Sequence, residues 1–212
     1  MRILIVVNGG RESPAEIVRW HEGCDKLIAV DGGAELVAQA DLAPDIVIGD
    51  FDSISPERLA QINPHALIHN PDQNTTDFQK ALTHAISLGA VNIVVLDPEG
   101  DRLDHALSAL GWASQQLKGR KIRFVFSRAI VHLLDSKAEY ECREGSTISI
   151  LPLESSQIIR TSGLKWNIQN TKMKLGEFDS VSNLAESERI AIHVASGVVA
   201  VFIDRFDGDV HW

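Results

Sequence analysis

Asp45-Ile46-Val47-Ile48-Gly49-Asp50-Phe51-Asp52-Ser53 is the stretch that decides how the first half of the chain folds. Three β-branched residues in a row make an apolar run of strand length, and a glycine and two aspartates then end it. The run predicts a buried strand, with the acidic knot at its carboxyl end. Side chains two apart on an extended segment point the same way, so Asp50 and Asp52 are expected to present two carboxylates to one spot. Such a pair calls for a cation.

The same pattern recurs on both sides of this stretch. Short runs rich in Ile, Val and Leu lie at 3–7, 26–30, 66–69, 92–96 and 122–126, and helical candidates begin near Pro14, Ala34, Pro56, Thr76 and Arg102. Strands alternating with helices, and apolar along nearly their whole length, predict a parallel sheet covered on both faces. Residues 1–127 are therefore expected to form a three-layer α/β nucleotide domain. After Ser127 the texture changes to β-favouring runs at 130–134, 146–151, 157–160, 190–194 and 198–203, broken by Gly, Ser, Asn and Pro. Residues 128–212 are expected to form an antiparallel β-sandwich.

Ligands of open parallel sheets bind outside the carboxyl ends of the strands. Asp31, Asp50, Asp52, Asp77, Asp97 and Asp104 all fall at those ends or just inside the helices that follow. Like charges so crowded require protonation, basic partners or bound Mg²⁺, which points to a metal and phosphate site.

Composition narrows the alternatives. The 212 residues carry a formal charge of -9, with 44% hydrophobic and 23% charged residues. Neither a nucleic-acid groove nor an anionic membrane surface is expected without a basic patch. Cys24 and Cys142 are far apart and belong to no CxxC or Cys/His cluster, so neither a disulfide framework nor a zinc site is expected. The apolar start at Ile3 is too short for a secretory segment, and the expected location is the cytosol.

Three further clusters carry chemistry. In Pro71-Asp72-Gln73-Asn74-Thr75-Thr76-Asp77-Phe78-Gln79-Lys80, Asn74 or Thr75 suits a helix N-cap and Asp77 its first turn, while Lys80 one turn on could reach a phosphate. In Gly100-Asp101-Arg102-Leu103-Asp104-His105, Asp101 suits an N-cap. Arg102 opposes the helix dipole there, and a phosphate would explain it. Asp31-Gly32-Gly33-Ala34 places glycines where backbone could approach a nucleotide. There is neither a GxxxxGK[ST] loop nor a GxGxxG fingerprint. In the second half, Trp166 sits among Lys165, Asn167 and Ser162, a polar setting that suits a ligand wall for a flat or cationic ring.

Taken in order, Asp31-Gly32-Gly33-Ala34, Gly49-Asp50-Phe51-Asp52-Ser53, Thr76-Asp77 with Lys80-Ala81, Arg102-x-Asp104-His105, Gly163-Leu164-Lys165-Trp166-Asn167 and Ser180-x-Ser182-Asn183 resemble the thiamine pyrophosphokinase family. The resemblance implies a homodimeric transferase that moves pyrophosphate from ATP to the hydroxyl of thiamine, giving thiamine diphosphate and AMP. It implies Mg²⁺ held by Asp50, Asp52 and Asp77, and phosphate charge met by Arg102 and Lys80. Asp104 would orient or deprotonate the hydroxyl, with Asp31, Gly32, Gly33, Gln73 and Thr76 about the nucleotide. Trp166, Ser180, Ser182 and Asn183 would line a thiamine pocket completed across the subunit interface. Asp101 departs from the family pattern, where glycine is usual, and Asp72-Gln73-Asn74 departs from the acidic, lysine-rich run of many bacterial members. A haloacid-dehalogenase-type phosphatase and a catalytically silent thiamine or nucleotide sensor are the rivals. The first needs its DxD after the first strand rather than the third; the second has no use for intact Asp50, Asp52, Asp77 and Asp104.

Overall fold

The computed structural model describes residues 1–10, 12–98, 102–206 and 212. Two compact units emerge, one from Met1–Ser127 with Trp212 added, the other from Arg128–Phe206.

In the first unit, strands β1 (Arg2–Val6), β2 (Lys26–Val30), β3 (Ile46–Gly49), β4 (Leu67–His69), β5 (Asn92–Leu96) and β6 (Lys121–Val125) alternate with helices α1 (Pro14–His21), α2 (Gly33–Gln39), α3 (Pro56–Leu59), α4 (Asp77–Ser87) and α5 (Leu103–Ser114). The strands lie in the order β6-β5-β1-β2-β3-β4. Every pairing is parallel. Ile3, Leu4, Ile5, Leu27, Ile28, Ile93 and Leu96 have no exposed surface, as expected of strands covered on both faces. Each such side chain contributes on the order of 1.5–3 kcal/mol by leaving water.

The order reverses at β1, whose neighbours are β2 and β5. Register sets Val6 beside both Ala29 and Leu96, and Val30 beside Ile48, so the chain leaves these strands at nearly one level. Asp31, Asp50 and Asp97 are the residues that follow β2, β3 and β5. Tight exits force unusual backbone: Asp31, Phe51 and Asp97 have φ of 46°, 68° and 59°. The left-handed region costs a residue with a Cβ roughly 1–3 kcal/mol, and such strain gathers at functional sites.

Local signals set the helix starts. Ser13 caps α1 ahead of Pro14, and its hydroxyl accepts from the Glu16 N–H at 3.3 Å. The N-cap of α4 is Thr76, not Asn74 or Thr75: its hydroxyl accepts from Gln79 N–H at 3.3 Å while the Gln79 side chain accepts from Thr76 N–H at 3.0 Å. That reciprocal pair is a capping box, and the Gln three residues after Thr76 was its signature in the sequence. At α5, Arg102 occupies the N-cap position with no side-chain cap. Asp101, expected there, lies outside the described residues.

The second unit holds two antiparallel sheets, β12-β9-β14-β7 and β11-β10-β13-β8. The strands are β7 (Ala129–Leu134), β8 (Lys137–Glu141), β9 (Thr147–Pro152), β10 (Ser156–Ser162), β11 (Gln169–Met173), β12 (Ser180–Leu184), β13 (Arg189–Ser196) and β14 (Val199–Asp204). Inward residues of both sheets, among them Ile148, Ile150, Ile158, Met173, Ile190, Ile192 and Val201, make one core, so the unit is a β-sandwich. Three strands were not expected from the sequence. Lys137-Ala138-Glu139-Tyr140-Glu141, Gln169–Met173 and Ser180–Leu184 are too polar to read as strands, because a strand at the side of a sandwich buries only part of one face.

Gly33, at the first position of α2, owes its identity to packing. A Cβ there would lie 2.3 Å from the carbonyl oxygen of Val6, an atom fixed in the sheet. Gly33→Ala is expected to cost about 1–3 kcal/mol, as overpacking does, read as a lower denaturant midpoint at unchanged slope.

Candidate active site

A cleft of about 620 Å³ opens at the carboxyl edge of the first unit's sheet, lined from Val7, Asn8 and Gly9 after β1 to Asp97 and Pro98 after β5. That is the crevice where the strand order reverses, the usual ligand position in open α/β sheets. Asp31, Asp50, Asp52, Gln73, Thr76, Asp77, Lys80, Arg102 and His105 also line it.

Three carboxylates converge in it. Oxygens of Asp31, Asp50 and Asp77 lie within 4.8 Å of one another. Asp31 is only 8% exposed, and its Oδ1 is buried with no hydrogen-bond partner. Burial pushes its carboxyl above the ordinary range, assisted by the charges of Asp77 and Asp52. Gly49 makes room for it, since a Cβ at that position would come within 3.0 Å of Asp31 Cβ. Asp50 is fixed by two donors, the Asp52 N–H at 3.3 Å and Gln73 Nε2 at 3.2 Å. These donors, the Asp52 N–H foremost, hold its carboxyl below the usual range. An orphaned buried oxygen facing two more carboxylates, all hard donors, suits Mg²⁺.

The geometry departs from strand alternation at Asp52. The left-handed turn at Phe51 ends the extended backbone, so Asp50 and Asp52 do not share a face by strand periodicity. Asp52 is exposed at the rim and accepts from Ser53 Oγ at 2.9 Å; Asp31 supplies the third member of the convergent trio. Gly32 and Gly33 do not line the cleft. Protein occupies the space beside them, with Asn8 Nδ2 at 2.4 Å from a Cβ built on Gly32.

Lys80 is not extended toward the cleft mouth. Its side chain is 4% exposed and its Nζ donates to Asp77 Oδ1 and to the Asn70 carbonyl, each at 2.8 Å. Asp72 organises its own loop, accepting from Asn74 N–H at 3.0 Å and Thr75 Oγ1 at 2.7 Å. Arg102 grips Asp104 with two bonds, Nε to Oδ1 at 3.0 Å and Nη2 to Oδ2 at 2.7 Å, and this guanidinium draws the Asp104 carboxyl down to about 2. A carboxylate so paired takes protons poorly near neutral pH.

A separate hollow of about 560 Å³ lies on the second unit, lined by Trp166, Phe178, Asp179, Ser180, Val181 and Asn183 among others. Trp166 is 56% exposed, not core, and Lys165 Nζ stands 4.9 Å from its ring centre. Asn183 is 2% exposed and fully engaged. It accepts from Trp166 N–H at 3.1 Å and donates to the Trp166 carbonyl at 2.8 Å and Ser180 Oγ at 3.2 Å, so it holds the Trp166 loop and has no free polar edge for a ligand. Ser182, at φ 57°, is exposed outside the lining. Phe178 was missed in the sequence because it stands alone in the polar run Gly176-Glu177-Phe178-Asp179.

The raised Asp31 carboxyl gives a testable consequence. A carboxyl raised by folding stabilises the fold only where it is protonated, and that contribution is lost as pH rises through its folded value. At neutral pH the ionised group opposes its neighbours. Metal-free Asp31→Asn is therefore expected to melt higher than the parent, by about 2–4 °C per kcal/mol relieved, and to gain less from added Mg²⁺ in differential scanning calorimetry.

Comparison with known proteins supplies the family. Residues 18–126 match the model of the thiamin pyrophosphokinase catalytic domain, and residues 131–199 that of the thiamin pyrophosphokinase vitamin B1 binding domain. Thiamine pyrophosphokinase 1 of Oryza sativa is 28% identical over 171 residues, 74% of this chain and 64% of the relative. The chain thus spans about 64% of the length of that relative and of its Arabidopsis thaliana counterpart. Thiamine pyrophosphokinase of Bacillus subtilis is 24% identical over 93% of this chain and 95% of its own. Its crystal structure superposes with a TM-score of 0.84 at 22% identity, covering 96% and 99% of the two chains. Thiamin pyrophosphokinase from Candida albicans gives 0.83 at 21% identity, covering 96% and 89%. With both units matched by its two domain models, the chain belongs to the thiamin pyrophosphokinase family.

Proposed function

We propose that the protein is a cytosolic, homodimeric enzyme that transfers the pyrophosphoryl group of ATP to the hydroxyl of thiamine, giving thiamine diphosphate and AMP. The observation that carries this is the convergence of Asp31, Asp50 and Asp77 in a cleft at the sheet's switch point, in a chain whose units match the family's catalytic and vitamin B1 binding domains.

In this reading Asp50 and Asp77 hold Mg²⁺ with Asp31 behind them and Asp52 at the rim. Bound Mg²⁺ neutralises and orients the triphosphate. The thiamine oxygen forms its bond to the β-phosphorus, the bond from that phosphorus to the α-phosphate oxygen breaks, AMP leaves, and the hydroxyl proton passes to solvent. Arg102 releases Asp104 to meet phosphate charge, and Asp104 then accepts the thiamine hydroxyl's hydrogen bond. A carboxylate suffices for that orienting role, since phosphoryl-type transfer demands little of a base. Trp166 and Phe178 offer aromatic faces to a flat, cationic ring, and Ser180 a polar contact.

The homodimer is supported by apolar surface that a lone chain leaves in water. Leu103 and Leu107, one helical turn apart on α5, are 73% and 61% exposed, and Trp112 is 36% exposed; in the second unit Leu175 and Val181 are similar. The half-buried free thiols Cys24 and Cys142 accord with a reducing cytosol.

The direct test is product mass after incubation with ATP, Mg²⁺ and thiamine. Thiamine diphosphate and AMP in equal amounts are expected; thiamine monophosphate with ADP would assign another reaction, and phosphate release without thiamine would favour a phosphatase. For the shared site, Trp166→Ala and Asp77→Asn proteins are each expected to lose at least about tenfold in turnover, more than one group's worth of positioning. Mixed with subunit exchange verified by native mass spectrometry, they should regain activity through heterodimers that own one intact site. Activity at the parents' level would place both parts in one chain.

A further inference from the structure

Among the described residues, two lysine or arginine side chains line the cleft of the first unit; Arg102 is exposed and Lys80 is buried. The Lys80 ammonium approaches the carboxylate trio from the protein side. One of its bonds goes to Asp77 Oδ1, within the same helix; the other goes to the Asn70 carbonyl, beyond the end of β4. Asn70 is itself tied to β3, since its N–H donates to the Gly49 carbonyl at 2.8 Å. Gly49 immediately precedes Asp50. A short path of fixed contacts therefore runs from Asp77 through Lys80 and Asn70 to the backbone that carries Asp50, and its length sets how far apart the two carboxylates stand.

A phosphate ligand needs different properties. It must reach the cleft mouth, and its ammonium must have donors to spare. Moving Lys80 outward would break both bonds and leave Asp77 uncompensated beside Asp31 and Asp50, raising the repulsion that the site already carries. We infer that Lys80 is a positioning residue for the cation site, holding Asp77 at its distance from Asp50 from within the protein, and that it does not touch the triphosphate. The inference rests on the metal-dependent transfer proposed above. Outer groups that orient metal ligands typically cost 10–100-fold in metal affinity when removed.

Mn²⁺ binding in the absence of nucleotide, followed by electron paramagnetic resonance, isolates this role. Failure of the parent protein to bind Mn²⁺ would overturn the cation reading itself and Lys80's role with it. With binding in the parent, Lys80→Met is expected to weaken Mn²⁺ at least tenfold and to lower kcat, while the KM for ATP at saturating Mn²⁺ moves less than about threefold. Lys80→Gln, which retains one donor, should recover part of the Mn²⁺ affinity. Removing a positive charge would by itself tighten cation binding, so weakening identifies geometry. Unchanged or tighter Mn²⁺ binding would overturn the inference, most plainly alongside a tenfold rise in the KM for ATP. Should the variants fail to fold, amine acetylation of the parent protein decides: Lys80 is expected to stay unmodified with or without a non-hydrolysable ATP analogue, and modification suppressed by nucleotide would make it a phosphate contact.

Discussion

Three carboxylates within 4.8 Å of one another, one of them buried, form the constraint on which the rest of the first unit depends. Two unit charges about 4 Å apart repel by about 1 kcal/mol in water and roughly 4 kcal/mol where the effective dielectric is near 20. Such a cluster persists only if the scaffold fixes it from outside. The parallel sheet does so by ending β2 and β3 at one level, Gly49 leaves room for the Asp31 side chain, and Gln73 and Lys80 restrain Asp50 and Asp77. The left-handed conformations of Asp31, Phe51 and Asp97 add to the cost at the same edge. Repulsion stored among carboxylates in one place is what a divalent cation can relieve.

The sequence made the architecture of this edge legible because two simple periodicities do not interfere there. Buried parallel strands are apolar throughout, helices have their own period, and aspartates that interrupt both can only be at the junctions. The side-chain geometry was less legible. Asp52 follows the alternation rule only while the backbone stays extended, and Phe51 breaks it with a conformation no residue type announces. Lys80 read as a residue able to reach a phosphate because sequence spacing gives the face of a helix but not the depth at which that face is packed. In the sandwich, β8, β11 and β12 were hidden by polar side chains, since a half-covered strand needs few apolar residues.

The second unit solves a different problem, that of holding a large aromatic in water. Trp166 is exposed, and exposure by itself would leave its loop many conformations. Asn183 spends its side-chain amide on the Trp166 backbone, and the Asn167 side-chain Oδ1 accepts from Leu164 N–H at 3.3 Å and Thr161 Oγ1 at 3.2 Å. Two asparagines thereby give the indole a fixed platform. An aromatic wall prepared in advance binds a flat ring with less entropy lost than one that must first be ordered.

The first unit also contains residue 212. The Trp212 indole N–H donates to the Trp20 carbonyl at 3.1 Å and the two rings meet edge to face at 6.0 Å, beside Gly23, where a Cβ would collide with the indole. During synthesis, residues 1–127 leave the ribosome well before this tryptophan exists. At about 5–20 residues per second the nascent α/β unit waits several seconds for its last contact, while the whole sandwich is made. The order of translation thus separates formation of the sheet from its final sealing around Trp20, and a ribosome stalled within the sandwich would display an α/β unit with that flank still open.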